Sequence, residues 1–157
     1  MISKEIINVL EHSDDNKVLF ITIGNSLRGD DGVGPYIAEK LSEANIKADL
    51  IDSGERPENV IDKAVAINPA KIIIIDAANY GGAIGEARII PEDKISASTL
   101  STHTFPIPVI SSIIREDTRA NIFFIGIQPD SMQLGDTMHD RVMATANEII
   151  TKIKERY

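Results

Sequence analysis

The 157-residue sequence contains no cysteine and no tryptophan, and aromatic residues make up only 4% of it. The absence of cysteine excludes disulfide bonds, thiolate metal sites and cysteine nucleophiles. Basic residues are also few, since 16 Lys and Arg stand against 24 Asp and Glu and give a formal net charge of −8. Because phosphate binding needs a basic face, we expect no nucleic-acid partner.

Long apolar runs are missing as well. No run approaches the roughly 20 apolar residues that span a bilayer. The first residues, MISKEIINVLEHSDDN, carry scattered charges and no apolar core of a signal peptide. We therefore expect a cytoplasmic protein that does not insert into a membrane. The length suits one domain, residues 1–157, and we expect a monomer.

Apolar segments typical of strands alternate with segments of helical spacing. The predicted strands are Lys17–Ile23, Ala48–Asp52, Lys71–Asp76, Glu86–Ile90 and Asn121–Ile127, and the predicted helices are Ser3–Glu11, Gly32–Ala44, Glu58–Asn68, Pro106–Glu116 and Thr137–Glu155. This order predicts an α/β fold, a three-layer sandwich with a central mixed, mostly parallel sheet of about five strands and helices on both faces. The link between the strands around Ile72 and Ala87 is too short for a crossover helix, so we expect those two strands to pair antiparallel.

Two adjacent carboxylates follow the first strand, in the segment GNSLRGDDGVG of residues 24–34. A glycine-rich turn between a strand and a helix usually holds an anion, which carboxylates would repel. Either both aspartates serve the turn or one of them holds a cation. Asp30 is placed to cap the following helix, although Pro35 would make Gly34 the cap. We expect Asp30 to face the amides of that helix and Asp31 to bind a cation.

Two more polar side chains are expected at the same edge, because ligands of open α/β sheets bind beyond the carboxyl ends of the strands. Asp76 ends the apolar strand KIIIID, and His103 lies in STLSTHTFP before a helix. A surface turn for Asp76 and an ordinary loop position for His103 are the alternatives, and we treat His12 and His139 as surface residues. Together with Asp31, the first two form a candidate site for zinc, nickel, manganese or iron.

The sequence offers no convincing pair of nucleophile and base. Ser98 and Ser101 lie near His103, but no G-x-S-x-G segment marks either as a nucleophile. An aspartic-protease mechanism would need a close pair of carboxylates that shares one proton. Three separate ligands favour metal-assisted hydrolysis, in which the ion polarises the scissile carbonyl or lowers the pKa of a bound water.

The segments GNSLRGDDGVGP and IIIIDAA, followed by a histidine in a polar loop, resemble the hydrogenase maturation endopeptidases. The resemblance runs from about Val18 to the last helix and includes SGERPEN, GEARII and FFIGIQPD, the last typical of the type that serves formate-hydrogenlyase-like hydrogenases. It implies a protease that removes a C-terminal peptide from the large-subunit precursor of a [NiFe] hydrogenase after nickel has been installed.

The resemblance also implies site residues and a metal. By motif position, the residues that recognise nickel are Asp31, Asp76 and His103, and the nickel is carried by the precursor, although other divalent metals could occupy the site. The chain departs from the family pattern after the second strand, where Asp52-Ser53-Gly54 stands in place of Asp-Gly-Gly. This departure leaves the geometry of that loop open.

Two other functions remain open at this point. One is a divalent-metal-dependent hydrolase or phosphoryl-transfer enzyme, with Arg28, Arg56 or Lys71 as the phosphate contact. The other is a non-catalytic nickel-sensing scaffold. If the chain is the endopeptidase, we expect residues 53–57 and 128–135 at the rim of the cleft to contact the precursor.

Overall fold

The computed structural model describes residues 2–11, 17–95 and 107–157. The strands are β1 (Val18–Thr22), β2 (Asp49–Asp52), β3 (Lys71–Ala77), β4 (Ala87–Ile89) and β5 (Asn121–Ile127). The helices are α1 (Lys4–Leu10), α2 (Val33–Glu43), α3 (Ile61–Ile67), α4 (Ile107–Asp117) and α5 (Asp140–Arg156), and 3₁₀ turns span Gly29–Gly32, Pro57–Val60 and Glu92–Lys94. The strands form one sheet in the order β2-β1-β3-β5-β4.

Helices cover both faces of this sheet, which confirms the predicted three-layer α/β fold. On one face, α1, α2 and α5 pack against alternate strand residues such as Phe20 and Ile73. On the other face, α3 and α4 pack against the residues between them, such as Ile72 and Ile74. The run of four isoleucines in β3 is buried on both sides because the strand lies at the centre of the sheet.

The sheet is mixed, as predicted, but the partner predicted for β4 is wrong. The strand around Ala87 pairs antiparallel with β5, in the register Ala87–Ile127, and β5 lies between it and the strand that contains Ile72. The apolar β5 can lie between two strands, whereas β4 is short and carries the exposed Arg88, features that suit an edge. The other pairs, β1–β2, β1–β3 and β3–β5, are parallel.

Parallel pairing of the three inner strands brings their carboxyl ends to one edge of the sheet, here called the carboxyl edge. The helix α4 ends at Asp117, which lies beside Lys17 and Ala70 at the opposite edge. Its first residue, Ile107, therefore lies toward the carboxyl edge. Within the described ranges, every helix is too short or too polar to cross a membrane.

Candidate active site

Asp31 lies just beyond the carboxyl end of β1, in the 3₁₀ turn of loop A (residues 24–32). Its side chain is only 2% exposed, and its Oδ2 accepts a hydrogen bond of 2.9 Å from the backbone N–H of Asn25. Loop A folds back on itself because Gly24 has a φ of +142°, and a Cβ at that position would lie 2.0 Å from the Asp31 carbonyl oxygen. The glycine thus permits the fold that buries this carboxylate.

Asp76 lies at the carboxyl end of β3, the strand beside β1. Its side chain is fully buried, and it shares a sheet face with Ile72 and Ile74. The backbone N–H of Ile23, directly after β1, donates to Ile75 at 3.1 Å, which aligns the ends of the two strands. The 3₁₀ turn that carries Asp31 packs against β3. The structure therefore brings both predicted carboxylates to the same edge of the sheet, on neighbouring strands.

His103, the third predicted ligand, lies outside the described residues. Within residues 2–11, 17–95 and 107–157, no group of three His, Cys, Asp or Glu side chains could hold a metal ion. The described part of the site is therefore a pair of carboxylates, Asp31 and Asp76, whose oxygens are suitable ligands for a divalent metal. The place of His103 beside them stays a prediction.

Asp30 does not face the helix that follows it, so the predicted capping role is wrong. The helix α2 has Gly32 as its N-cap and no side-chain cap. The Asp30 carboxylate instead accepts three backbone N–H bonds from loop B (residues 128–139): from Asp130 and His139 at 2.7 Å each and from Ser131 at 3.1 Å. Asp30 therefore fixes loop B against loop A, and the adjacent carboxylates have different surroundings.

Replacing Asp30 with alanine is expected to lower the free energy of unfolding by about 3 to 5 kcal/mol, because three N–H groups lose their acceptor in a buried setting. Asp30→Asn keeps one acceptor oxygen and should lose less. Asp130→Ala is the matched control, since its side chain is exposed, and it should stay within about 0.5 kcal/mol of the wild type. Urea unfolding of the three variants measures this, and a similar loss for the Asp30→Ala and Asp130→Ala proteins would contradict it.

In the loop after β2, the serine that stands where the resemblance expects a glycine fits without disturbing the turn. Ser53 donates both its backbone N–H and its Oγ to the carbonyl of Thr22, each at 2.9 Å. Gly54, with a φ of +58°, is the residue whose backbone favours glycine, and its carbonyl accepts from Gly24 at 2.8 Å. The serine therefore ties this loop to the end of β1 and leaves its glycine-dependent turn intact.

Comparison with known proteins agrees with this fold. The sequence profile of the hydrogenase maturation protease family matches residues 35–155. The chain belongs to this family. The hydrogenase 3 maturation protease of Escherichia coli K12 is 38% identical over 115 residues, which cover 71% of this chain and 72% of that protein.

Two solved structures of the same kind are similar to the protease along most of its length. The [NiFe] hydrogenase maturation protease HycI of Thermococcus kodakarensis has a TM-score of 0.83 and 31% identity, and the match covers 97% of each chain. The endopeptidase HycI of Escherichia coli has a TM-score of 0.79 and 31% identity, with 88% of this chain and 90% of that one covered. The protein is therefore an endopeptidase of hydrogenase maturation, and the family supports C-terminal processing of the large subunit.

Gln128 organises the loop that follows Asp76 in the protease, a role that the sequence did not predict, although residues 128–135 were expected at the rim of the cleft. Its side-chain oxygen accepts from the backbone N–H of Tyr80 at 3.0 Å and of Gly82 at 3.1 Å, while its amide donates to Asn79 Oδ1 at 3.0 Å. The available signal was its position, since Gln128 is a polar residue directly after the buried strand β5, as Asp76 is at the end of β3. A glutamine so placed fixes the loop at the carboxyl edge.

The same loop carries a tyrosine that serves as a fixed donor. The hydroxyl of Tyr80 donates to the carbonyl of Glu86 at 2.7 Å, and the guanidinium of Arg88 lies 4.6 Å from the ring centroid. Burial is the largest cause that raises the pKa of Tyr80 above its usual range. The phenol therefore keeps its proton at neutral pH, and Tyr80 is not a candidate base for the protease.

The basic residues considered for phosphate binding have different positions. Lys71 begins β3 at the edge opposite the carboxylates, and its Nζ donates to the carbonyls of Val9 at 2.8 Å and Glu11 at 2.9 Å. Its prediction as a phosphate contact near the site is wrong, because it satisfies the C-terminal carbonyls of α1. Arg28 and Arg56 are exposed in the loops after β1 and β2.

Proposed function

We propose that the protease removes a C-terminal peptide from the nickel-loaded large-subunit precursor of a [NiFe] hydrogenase, and that the nickel belongs to the substrate. The observation that carries this proposal is the pair of buried carboxylates, Asp31 and Asp76, at the carboxyl ends of neighbouring strands. Two carboxylates at one edge of a sheet attract a cation to that edge. Nickel already bound in the precursor would supply positive charge at this edge.

In this proposal, Asp31, Asp76 and His103 are both the metal ligands and the catalytic residues. Carboxylate and imidazole are ligands that nickel accepts in proteins. By binding the precursor's nickel, they hold the adjacent peptide bond at the carboxyl edge. Water then adds to the scissile carbonyl carbon, the C–N bond breaks, and the new amine takes a proton from the water. Asp30 takes no part in this step, because its oxygens are bonded to loop B.

The proposal also covers the domain organisation, the location and the oligomeric state of the protein. We propose a single domain over residues 1–157 that works as a cytoplasmic monomer and binds no nucleic acid, in keeping with its net charge of −8. The resemblance of FFIGIQPD to the type that serves formate-hydrogenlyase-like hydrogenases indicates the class of hydrogenase that is processed.

Incubation of the purified protein with its nickel-loaded precursor tests the proposed function. We expect the large subunit to become shorter and a C-terminal peptide to appear, both detected by mass spectrometry. Nickel-free precursor should stay intact. The matched control is the loaded precursor without the protease, which should also stay intact and so excludes cleavage by the metal alone.

The same assay distinguishes the other two functions. A nickel-sensing scaffold would bind loaded precursor without shortening it. A divalent-metal-dependent hydrolase or phosphoryl-transfer enzyme would leave the precursor intact and would act on phosphate esters once a metal was added. Either outcome would contradict the proposed function.

A further inference from the structure

Two leucines at the carboxyl edge are unusually exposed for large apolar side chains. Leu27 in loop A is 65% exposed and Leu134 in loop B is 67% exposed, more than any other large hydrophobic side chain among the described residues. A single exposed leucine needs no explanation. Two on loops that contact each other, beside a candidate active site, indicate a binding surface.

The two leucines are neighbours in space. The backbone N–H of Gly135, the residue after Leu134, donates to the carbonyl of Leu27 at 2.9 Å. A Cβ on Gly29 would lie 2.6 Å from the carbonyl oxygen of Ser131, so the two loops also approach closely at a second point. Leu27 and Leu134, here called the leucine pair, therefore lie on adjoining segments of loops A and B, and both side chains are exposed.

The leucine pair is held by hydrogen-bonded turns. The N–H of Leu27 donates to Asn25 Oδ1 at 2.9 Å, and the turn of Leu134 is closed by a bond of 3.2 Å from Asp136 N–H to the Gln133 carbonyl. Fixed turns lose little conformational entropy when a partner binds. Exposed apolar side chains on ordered loops are therefore suited to recognition.

The leucine pair is also joined to the candidate active site. The Asn25 residue that closes the turn of Leu27 donates its own N–H to Asp31 Oδ2 at 2.9 Å, and Asp30 holds the loop of Leu134 through three N–H groups. A partner bound to the pair would lie against the two loops that position these carboxylates. A flexible chain end of that partner could then reach the carboxyl edge of the sheet.

The surroundings of the pair carry charges of both signs, since loop A adds the exposed Arg28 beside Leu27. Loop B and the first residue of α5 carry three exposed aspartates, Asp130, Asp136 and Asp140, and no lysine or arginine. A second copy of this chain would also have a formal net charge of −8, which opposes self-association. The fitting partner therefore has an apolar contact surface with basic residues around it.

We propose that the leucine pair is the docking site for the folded body of the large-subunit precursor, separate from the place where its tail is cut. This inference rests on the proposed function. An apolar surface of the precursor, flanked by basic residues, packs on Leu27 and Leu134. Its C-terminal tail then extends to Asp31 and Asp76.

The test compares Leu27→Gln/Leu134→Gln with Ile113→Gln, a matched control on α4 whose aliphatic side chain is also exposed, at 38%. With nickel-loaded precursor, the double variant should raise KM by about 10-fold or more, as loss of a central apolar anchor does, while kcat stays within about twofold. Ile113→Gln should leave both constants unchanged. Urea unfolding should give the same midpoint for the double variant and the wild type, since the replaced side chains are exposed.

Further outcomes separate this inference from the proposed function. If the wild type does not cut the precursor, the proposed function fails, and the Kd of intact precursor for the wild type and the double variant still tests docking: a rise of about 10-fold or more supports it. If the wild type cuts and the double variant matches it in KM, docking at the pair is wrong. A wild-type dimer in sedimentation that the double variant converts to a monomer would assign the pair to self-association and also overturn docking.

Discussion

Asp31→Asn, Asp76→Asn and His103→Ala are each expected to lower cleavage of nickel-loaded precursor by about 100-fold or more without unfolding the protein. The two asparagine variants keep the size of the buried side chain and remove its negative charge. If these side chains hold the precursor's nickel, loss of one ligand displaces the scissile bond, and positioning errors of this kind are costly in rate.

Combining the three changes should cost little more than any one of them, because all three side chains act on one ion. Asp62→Asn is the matched control, since Asp62 is an exposed aspartate on α3 and should leave cleavage unchanged. Initial rates of precursor cleavage measure the series, and unfolding midpoints verify the fold. A triple variant whose loss equals the product of three independent losses would argue against a shared ion.

The contrast between Asp30 and Asp31 shows where sequence reasoning reached its limit. Both are acidic, buried and part of the same glycine-rich turn, so local pattern predicts a cap and a ligand without saying what the first one contacts. The partners of Asp30 lie 100 to 109 positions along the chain, in loop B. Only tertiary packing brings loop B against loop A, and rules that consider neighbouring residues in the sequence do not predict contacts between such distant segments.

The sheet was also predicted correctly in one respect and wrongly in another. The apolar runs of β1, β3 and β5 identified these strands to within one residue at each end, because burial leaves a strong pattern in sequence. The neighbour of β4 was assigned wrongly, since the short link after β3 limits the direction of the next strand and says nothing of what inserts between them. The strand β5 follows some 30 residues later and lies between β3 and β4.

The candidate site was predictable in part for a geometric reason. Parallel strands end at one edge of the sheet. A carboxylate after β1 and another at the end of β3 therefore had to lie at the same carboxyl edge. Gln128 follows the same rule after β5 and could have been found by it. The exposure of Leu27 and Leu134 could not be predicted from the sequence, because it depends on how two distant loops meet.

The purified protein should carry well below one equivalent of any divalent metal, and nickel-free precursor should not be cut. A resident catalytic metal usually has three protein ligands and a second shell that orients the histidine. The described part of the chain supplies the carboxylates Asp31 and Asp76, and His103 is the third ligand that the proposal assigns to this chain. In the proposal, the precursor's own ligands already hold the nickel, and the protein therefore needs no metal of its own.

Metal analysis of the purified protein, with cleavage assays on loaded and nickel-free precursor, decides between a metal in the substrate and a metal in the enzyme. Treating the protease alone with a chelator and then removing the chelator should leave its activity on loaded precursor unchanged, whereas a resident metal would be lost with the activity. Asp31→Asn serves as the control, because it should be inactive before and after this treatment. A tightly bound equivalent of zinc, together with ready cleavage of casein, would indicate an ordinary metalloprotease, since an enzyme that carries its own metal has no need to wait for a nickel-loaded partner.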